Sequence, residues 1–135
     1  MVRGLIARGY EVTILHTGRH ESDEIPTEVH IAVPEGSHRP TIDYPPTRVR
    51  VFQAETFNLG RIGVSEEHGE RFWISDRERT VVDAFRMRRR VSDDMAHAAL
   101  RRYVGNRPKL ARLAEMAGEL RAGTAFNAVL RALQA

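Results

Sequence analysis

Ser75-Asp76-Arg77-Glu78-Arg79-Thr80-Val81-Val82-Asp83-Ala84-Phe85-Arg86-Met87-Arg88-Arg89-Arg90 is the stretch on which the fold turns. Ser75 followed three residues later by Glu78 fits a capping box, in which hydroxyl and carboxylate satisfy the free N–H groups of a first helical turn. Val81, Val82 and Phe85 then fall on one side of the helix that follows. At 100° per residue, Arg79, Arg86 and Arg90 lie within about 40° of one another. Asp83 sits among them, four residues after Arg79 and three before Arg86.

Downstream the pattern stays helical. Ser92, followed by Asp93 and Asp94, reads as an N-cap with acids in the first turn. Met95, Ala99, Leu100 and Tyr103 make an apolar stripe that ends at Gly105. A third helix runs from about Pro108 through Leu110, Leu113, Ala114 and Ala117 to Gly118. Thr124 caps a fourth, with Phe126, Val129, Leu130 and Leu133 inward. Four amphipathic helices with short links read as a small bundle.

Upstream the period is two. Glu11 to Leu15 reads as a strand after a short helical segment that stops at Gly9. Val29, Ile31 and Val33 alternate with His30 and Ala32, and Arg48 to Phe52 repeats the pattern. Pro34, Gly36, Pro40 and Pro45-Pro46 interrupt between them. Arg61–Val64 and Arg71–Ile74 flank Glu67-His68-Gly69, whose glycine suits a hairpin turn. The expected class is α+β: a small sheet over 25–75 packed on a four-helix segment over 76–135, with 1–24 as a helix–strand appendage.

Charge follows the same division. Residues 1–75 carry 8 Arg against 11 acids, and residues 76–135 carry 13 Arg and Lys against 7 acids. Lys109 is the single lysine. A GC-rich genome accounts for arginine in place of lysine but not for its clustering in the second half. A basic half points to a polyanion or an acidic protein surface. Two readings of the Arg79–Arg86–Arg90 stripe stand side by side. One is a solvated face held by Arg–Asp pairs. The other is a contact for phosphate or an acidic partner, since one carboxylate cannot neutralise three guanidiniums. Arg88 and Arg89 point to the apolar side unless the helix ends before them, and Arg101 and Arg102 lie off the apolar stripe of their helix.

No other chemistry is called for. The chain has no cysteine, which excludes disulfides, thiolate metal sites and cysteine nucleophiles. His16 and His20 are four apart in a strand-to-turn region with no third ligand beside them, so no metal is expected. Glu66 and Glu67 are adjacent rather than facing, and no nucleophile, base and acid are held together. Phe52 with Phe72 or Trp73 is the one pairing that could build a base-stacking platform. No apolar run spans a membrane and no secretory leader is apparent, so the cytoplasm is the default compartment.

Asp23 to Val33-Pro34, Arg39-Pro40, Tyr44-Pro45-Pro46, Ile74 to Asp83 and Ala98 to Tyr103 together resemble the C-terminal domain of AbiEi-type antitoxins, with Glu78–Asp83 the most specific piece. The resemblance runs from about residue 25 to 134. It implies a non-enzymatic, cytoplasmic domain of a type IV toxin–antitoxin system, without cofactor, that counters a nucleotidyltransferase-like toxin and assists DNA binding. Members of that family normally carry an N-terminal winged helix-turn-helix, and nothing before residue 25 reads as one. Residues 1–24 instead resemble a fragment of an NAD-dependent epimerase/dehydratase: Met1–Gly9 its first helix, Glu11–Leu15 its second strand, Thr17-Gly18-Arg19 the turn after it. The glycine-rich loop is missing, so no complete Rossmann site is expected. A junction near 23–31, an epimerase-type remnant, and a fusion product without function are the alternatives this leaves. Without the winged helix, promoter recognition is expected to be weak, and any DNA contact through Arg79, Arg86, Arg88, Arg89, Arg90, Arg101 and Arg102 to be salt-sensitive.

Overall fold

A computed structural model describes residues 13–14, 29–43, 46–65, 69, 71–89 and 92–134. The class is α+β: strands first, then four helices, in two compact units that divide between Ser75 and Asp76. The winged helix and the glycine loop concern residues before 25, of which only Thr13 and Ile14 are described.

The first unit is one five-stranded mixed sheet, ordered β3-β2-β1-β5-β4. Its strands are β1 (Thr13–Ile14), β2 (Val29–Pro34), β3 (Thr47–Phe52), β4 (Arg61–Ser65) and β5 (Arg71–Ser75). The alternation at Val29, Ile31 and Val33 does what period two predicts. Ile31 and Val33 are fully buried, and Val29, Ile42 and Val49 pack on them. Ala32 on the opposite face is buried as well, as befits a strand inside the sheet order. β2 and β3 run parallel, joined by residues 35–46, about the dozen residues such a crossover needs. Glu35 N–H donates to Phe52 O and Val29 N–H to Pro46 O, which closes both ends of that pair.

The expected β4–β5 hairpin forms, with Val64 opposite Phe72, Ser65 opposite Arg71 and Gly69 at φ +85° in its turn. Thr13–Ile14 lies between β2 and β5, antiparallel to the first and parallel to the second. The N-terminal strand is therefore the middle of the sheet and not an appendage: it joins two strand pairs that would otherwise share no ladder. The helical segment before it and the residues on to Glu28 lie outside the described residues.

The second unit holds α1 (Arg77–Arg86), α2 (Asp93–Val104), α3 (Leu110–Glu119) and α4 (Thr124–Gln134). α1 packs against α2 and α3, and α3 against α4. The start of α1 differs by one residue from the capping-box reading. Asp76 is the N-cap, its carboxylate accepting from Arg79 N–H at 2.7 Å, because Ser75 is still the last residue of β5, paired with Arg61. Ser92 caps α2 as expected, accepting from Met95 N–H at 3.1 Å. The inner stripe of α2 runs through Ala96, Leu100 and Tyr103, while Met95 is exposed. Gly105 closes that helix.

α3 has no side-chain cap at Lys109. Tyr103 replaces it: its hydroxyl accepts from Lys109 N–H at 2.8 Å and donates to Lys109 O at 3.1 Å. Arg77 stacks over the same ring, 5.0 Å from its centroid, and donates to Asn106 O. One tyrosine thus ties the beginning of α1, the end of α2 and the entry to α3. Burial, with the nearby Glu78 carboxylate, pushes its phenol up to about 12.

Candidate nucleic-acid interface

The arginines of α1 divide by position along the helix. Arg79 is 2% exposed, and its Nε donates to Asp83 Oδ2 at 2.7 Å. Arg86 Nη1 donates to the other oxygen, Oδ1, at 2.8 Å. Asp83 is itself buried, so both of its oxygens are committed inside the fold. The expectation that Arg79 belongs to an outward stripe is corrected here: it is a core ion pair and cannot reach an external phosphate.

The reason is the width of the covered face. Taking Val82 as the centre, Arg79 stands only about 60° away, and the buried residues Glu78, Arg79, Val81, Val82, Asp83 and Phe85 span an arc of roughly 200°. A helix lying against a single neighbour buries little more than half of that. α1 is flanked by two helices, so residues at the margin of its apolar stripe go under as well.

Charge near the start of α1 is balanced in the same way. Arg112 of α3 reaches back, its Nη2 to Asp76 Oδ2 at 2.7 Å and its Nε to Glu78 Oε1 at 3.2 Å. Those carboxylates, Asp76 foremost, raise the guanidinium's affinity for its proton.

The other end of α1 is unlike this. The helix stops at Arg86, and Met87, Arg88 and Arg89 form a turn. Arg88 and Arg89 are thus released from the inward direction that a continuing helix would impose. Arg86, Arg88 and Arg89 line a cleft of about 290 Å³ together with Phe85, Phe126 and residues 122–125. Phe85 and Phe126 meet at 4.8 Å between ring centroids and give the cleft its apolar part. Among the described residues no acid lines it. Arg88 has an ion pair only with Asp93, at 3.9 Å, on a carboxylate that is 72% exposed. Arg89 is exposed, and among the described residues no carboxylate is within its ion-pair reach.

The start of α4 lines the same cleft. Its first helical bond runs from Asn127 N–H to Gly123 O, so Thr124 occupies the first turn and Gly123, at φ +95°, takes the cap position expected for Thr124. The N–H groups of residues 124–126 have no acceptor within the helix. The first turn carries no acid to complement them. Guanidinium forks and helix N-terminal amides both bind phosphate, and the residues that carry them line this cleft together.

Of the remaining expected contacts, Arg101 and Arg102 are exposed in the last turn of α2, where cations complement the helix dipole, and neither lines the cleft. Arg90, His16 and His20 lie outside the described residues. Among the described residues no group of three His, Asp or Glu is placed to hold a metal. The base-stacking pairing does not form. Phe72 is on the opposite face of β5 from Trp73, and Phe52 on β3 is separated from β5 by two strands.

Sequence reasoning missed two features. Gly123 to Phe126 enter the cleft only through tertiary packing; the single hint is that no Asp or Glu follows Thr124. Trp73 is 43% exposed in the sheet unit, with the Arg61 guanidinium 4.2 Å from its ring centroid and 5.4 Å from that of buried Phe57. Gly63 stands opposite Trp73, where a Cβ would make ordinary contact with the ring.

Neither a family model nor a curated protein sequence matches the chain at a significant level. No helix among the described residues is long and apolar enough to cross a membrane.

Proposed function

We propose that the chain is an antitoxin-like regulator of the AbiEi type, acting by binding and without turnover. Its partner is a nucleotidyltransferase-like toxin, and it contacts DNA through arginines of the helical unit. The observation that carries the reading is the cleft at the end of α1, where Arg86, Arg88 and Arg89 gather with no acid among the described residues of the lining. The sequence likeness centred on Glu78–Asp83 supports the family. Arg101 and Arg102 add exposed positive charge on the same unit.

Arginine contacts to phosphate give affinity without base readout, and such binding weakens as salt rises. Fluorescence anisotropy of a labelled duplex, titrated at several salt concentrations, tests this. A slope of log Kd against log salt of about 1 for each phosphate engaged is expected. A flat slope counts against the reading. Co-expression with a nucleotidyltransferase-like toxin of an AbiE-type system tests the other half: restored growth supports an antitoxin, and unrelieved toxicity opposes it.

A further inference from the structure

We infer that the cleft between the end of α1 and the start of α4 is a seat for a single phosphate group. This rests on reading Arg86, Arg88 and Arg89 as polyanion contacts, and narrows it from a charged surface to one concave site.

Three observations converge. First, the guanidiniums of Arg88 and Arg89 line a cleft with that of Arg86, which Asp83 anchors, and among the described residues no carboxylate lines it. Asp83 is saturated by Arg79 and Arg86, so it does not neutralise the other two. Asp93 stands 3.9 Å from Arg88 and is well solvated, too long and too wet to compete with a ligand. Second, the same cleft is lined by residues 122–126 at the amide end of an eleven-residue helix, whose cap residue, Gly123, has no side chain to occupy its N–H groups. Third, the size is right. About 290 Å³ lies at the lower end of small-ligand sites and takes a phosphate with the atoms attached to it, but not a large organic ligand. Phe85 and Phe126 add an apolar part to the lining, and charge-assisted hydrogen bonds are stronger beside apolar walls than in open water.

A phosphate offers oxygens in several directions and accepts from guanidinium and amide donors at once. A carboxylate, being planar, engages one fork and leaves the other donors unmet. The seat therefore selects phosphate chemistry, whether the group belongs to a free nucleotide or to a nucleic-acid backbone.

The test uses the full chain, labelled with ¹⁵N and titrated with inorganic phosphate at constant ionic strength. Saturable amide shifts at residues 86–89 and 123–126 are expected. In Arg89→Gln the midpoint should move to phosphate concentrations on the order of tenfold higher. Ala125→Glu places a carboxylate in the first turn of α4, where it favours the helix. That variant should melt no lower than the parent, yet lose the saturable shifts. Shifts that chloride reproduces, that fall elsewhere, or that survive unchanged in both variants overturn the seat.

Two further ligands assign the source. AMP carries a terminal phosphate, and a duplex without terminal phosphates offers diesters only. Saturation at the same amides by AMP alone assigns a free or terminal phosphate. Saturation by the duplex assigns the backbone. If the duplex binds with steep salt dependence while phosphate gives no saturable shifts, the seat fails and the DNA reading stands. If phosphate saturates and the duplex does not bind, the seat stands and the DNA reading fails.

Discussion

At the start of α1, arginine is used to close the fold; at its end, arginine is left facing a cleft. Arg79 and Arg112 each meet carboxylates at hydrogen-bond distance, from Asp83 in the first case and from Asp76 and Glu78 in the second. Some two turns later, among the described residues, Arg88 has only a long, solvated pair and Arg89 has no carboxylate within ion-pair reach. The residue type is the same and the helix is the same. What differs is burial: Asp83 is covered together with Arg79 one turn away on the same helix, whereas the acid that meets Arg88, Asp93 of α2, stands in solvent. An arginine run is thus no signal of a binding surface until the internal carboxylates have been assigned, and here that assignment removes Arg79 while leaving Arg88 and Arg89 in place.

The strongest way to break the contrast is at its pivot. Asp83→Asn leaves the Arg79 guanidinium buried without its anion and should lower stability by about 3–5 kcal/mol, read by urea denaturation. The pair Arg79→Met with Asp83→Leu should recover most of that loss, since an apolar pair of similar volume needs no charge compensation. If Asp83→Asn alone is neutral, Arg79 is not a core ion-pair residue and returns to the candidate interface.

Tyr103→Phe should cost about 1–3 kcal/mol, because it leaves Lys109 N–H without its acceptor. The pH dependence sharpens this. The phenol titrates near 10 in the unfolded chain and is pushed up to about 12 in the fold. Between those values the folded state holds a proton that the unfolded state has lost, so stability present below pH 10 declines as pH rises towards 12. Tyr103→Phe should flatten that decline; a decline unchanged in the variant would assign it to another group.

At the other end of the helix the expected stability effects are smaller. Asp93→Asn removes a first-turn acid from α2 and should cost about 0.5 kcal/mol. Because Asp93 is too solvated to hold Arg88, phosphate binding should change less than about twofold, and a larger loss would show that Asp93 organises the cleft. Arg89→Gln should change stability by less than about 0.5 kcal/mol, since the side chain is exposed. It should nevertheless lower the salt slope of duplex binding by about 1. Equal losses of stability for Arg89→Gln and Asp83→Asn would erase the distinction between the two ends.

Much of the architecture is legible in the residues themselves. Period two at Val29, Ile31 and Val33, the glycine turn before Arg71, and the Ser92 cap each act locally, so each appears where local rules put it. The cap of α1 slips by one because two local rules compete at Ser75, and strand pairing with Arg61 prevails. The place of Thr13–Ile14 in the middle of the sheet could not be read, since strand order depends on partners remote in sequence. The candidate site is legible only in part. The cluster at Arg86, Arg88 and Arg89 is plain in the sequence, and so is the alternative in which the helix ends before Arg88 releases its neighbours. The part of the lining at Gly123–Phe126 is not, because it lies more than thirty residues further along the chain.

By itself the sequence determined the division into a strand half and a helical half, the faces of most elements, and the excess of arginine in the second half. Only the tertiary structure decided which arginines are spent inside and which remain outside. Periodicity fixes a side chain's direction about its own helix axis, and Arg79 and Arg86 differ there by only about 20°. How many neighbours cover that direction, and whether they bring an acid or a helix N-terminus, is set by packing between helices distant in the chain.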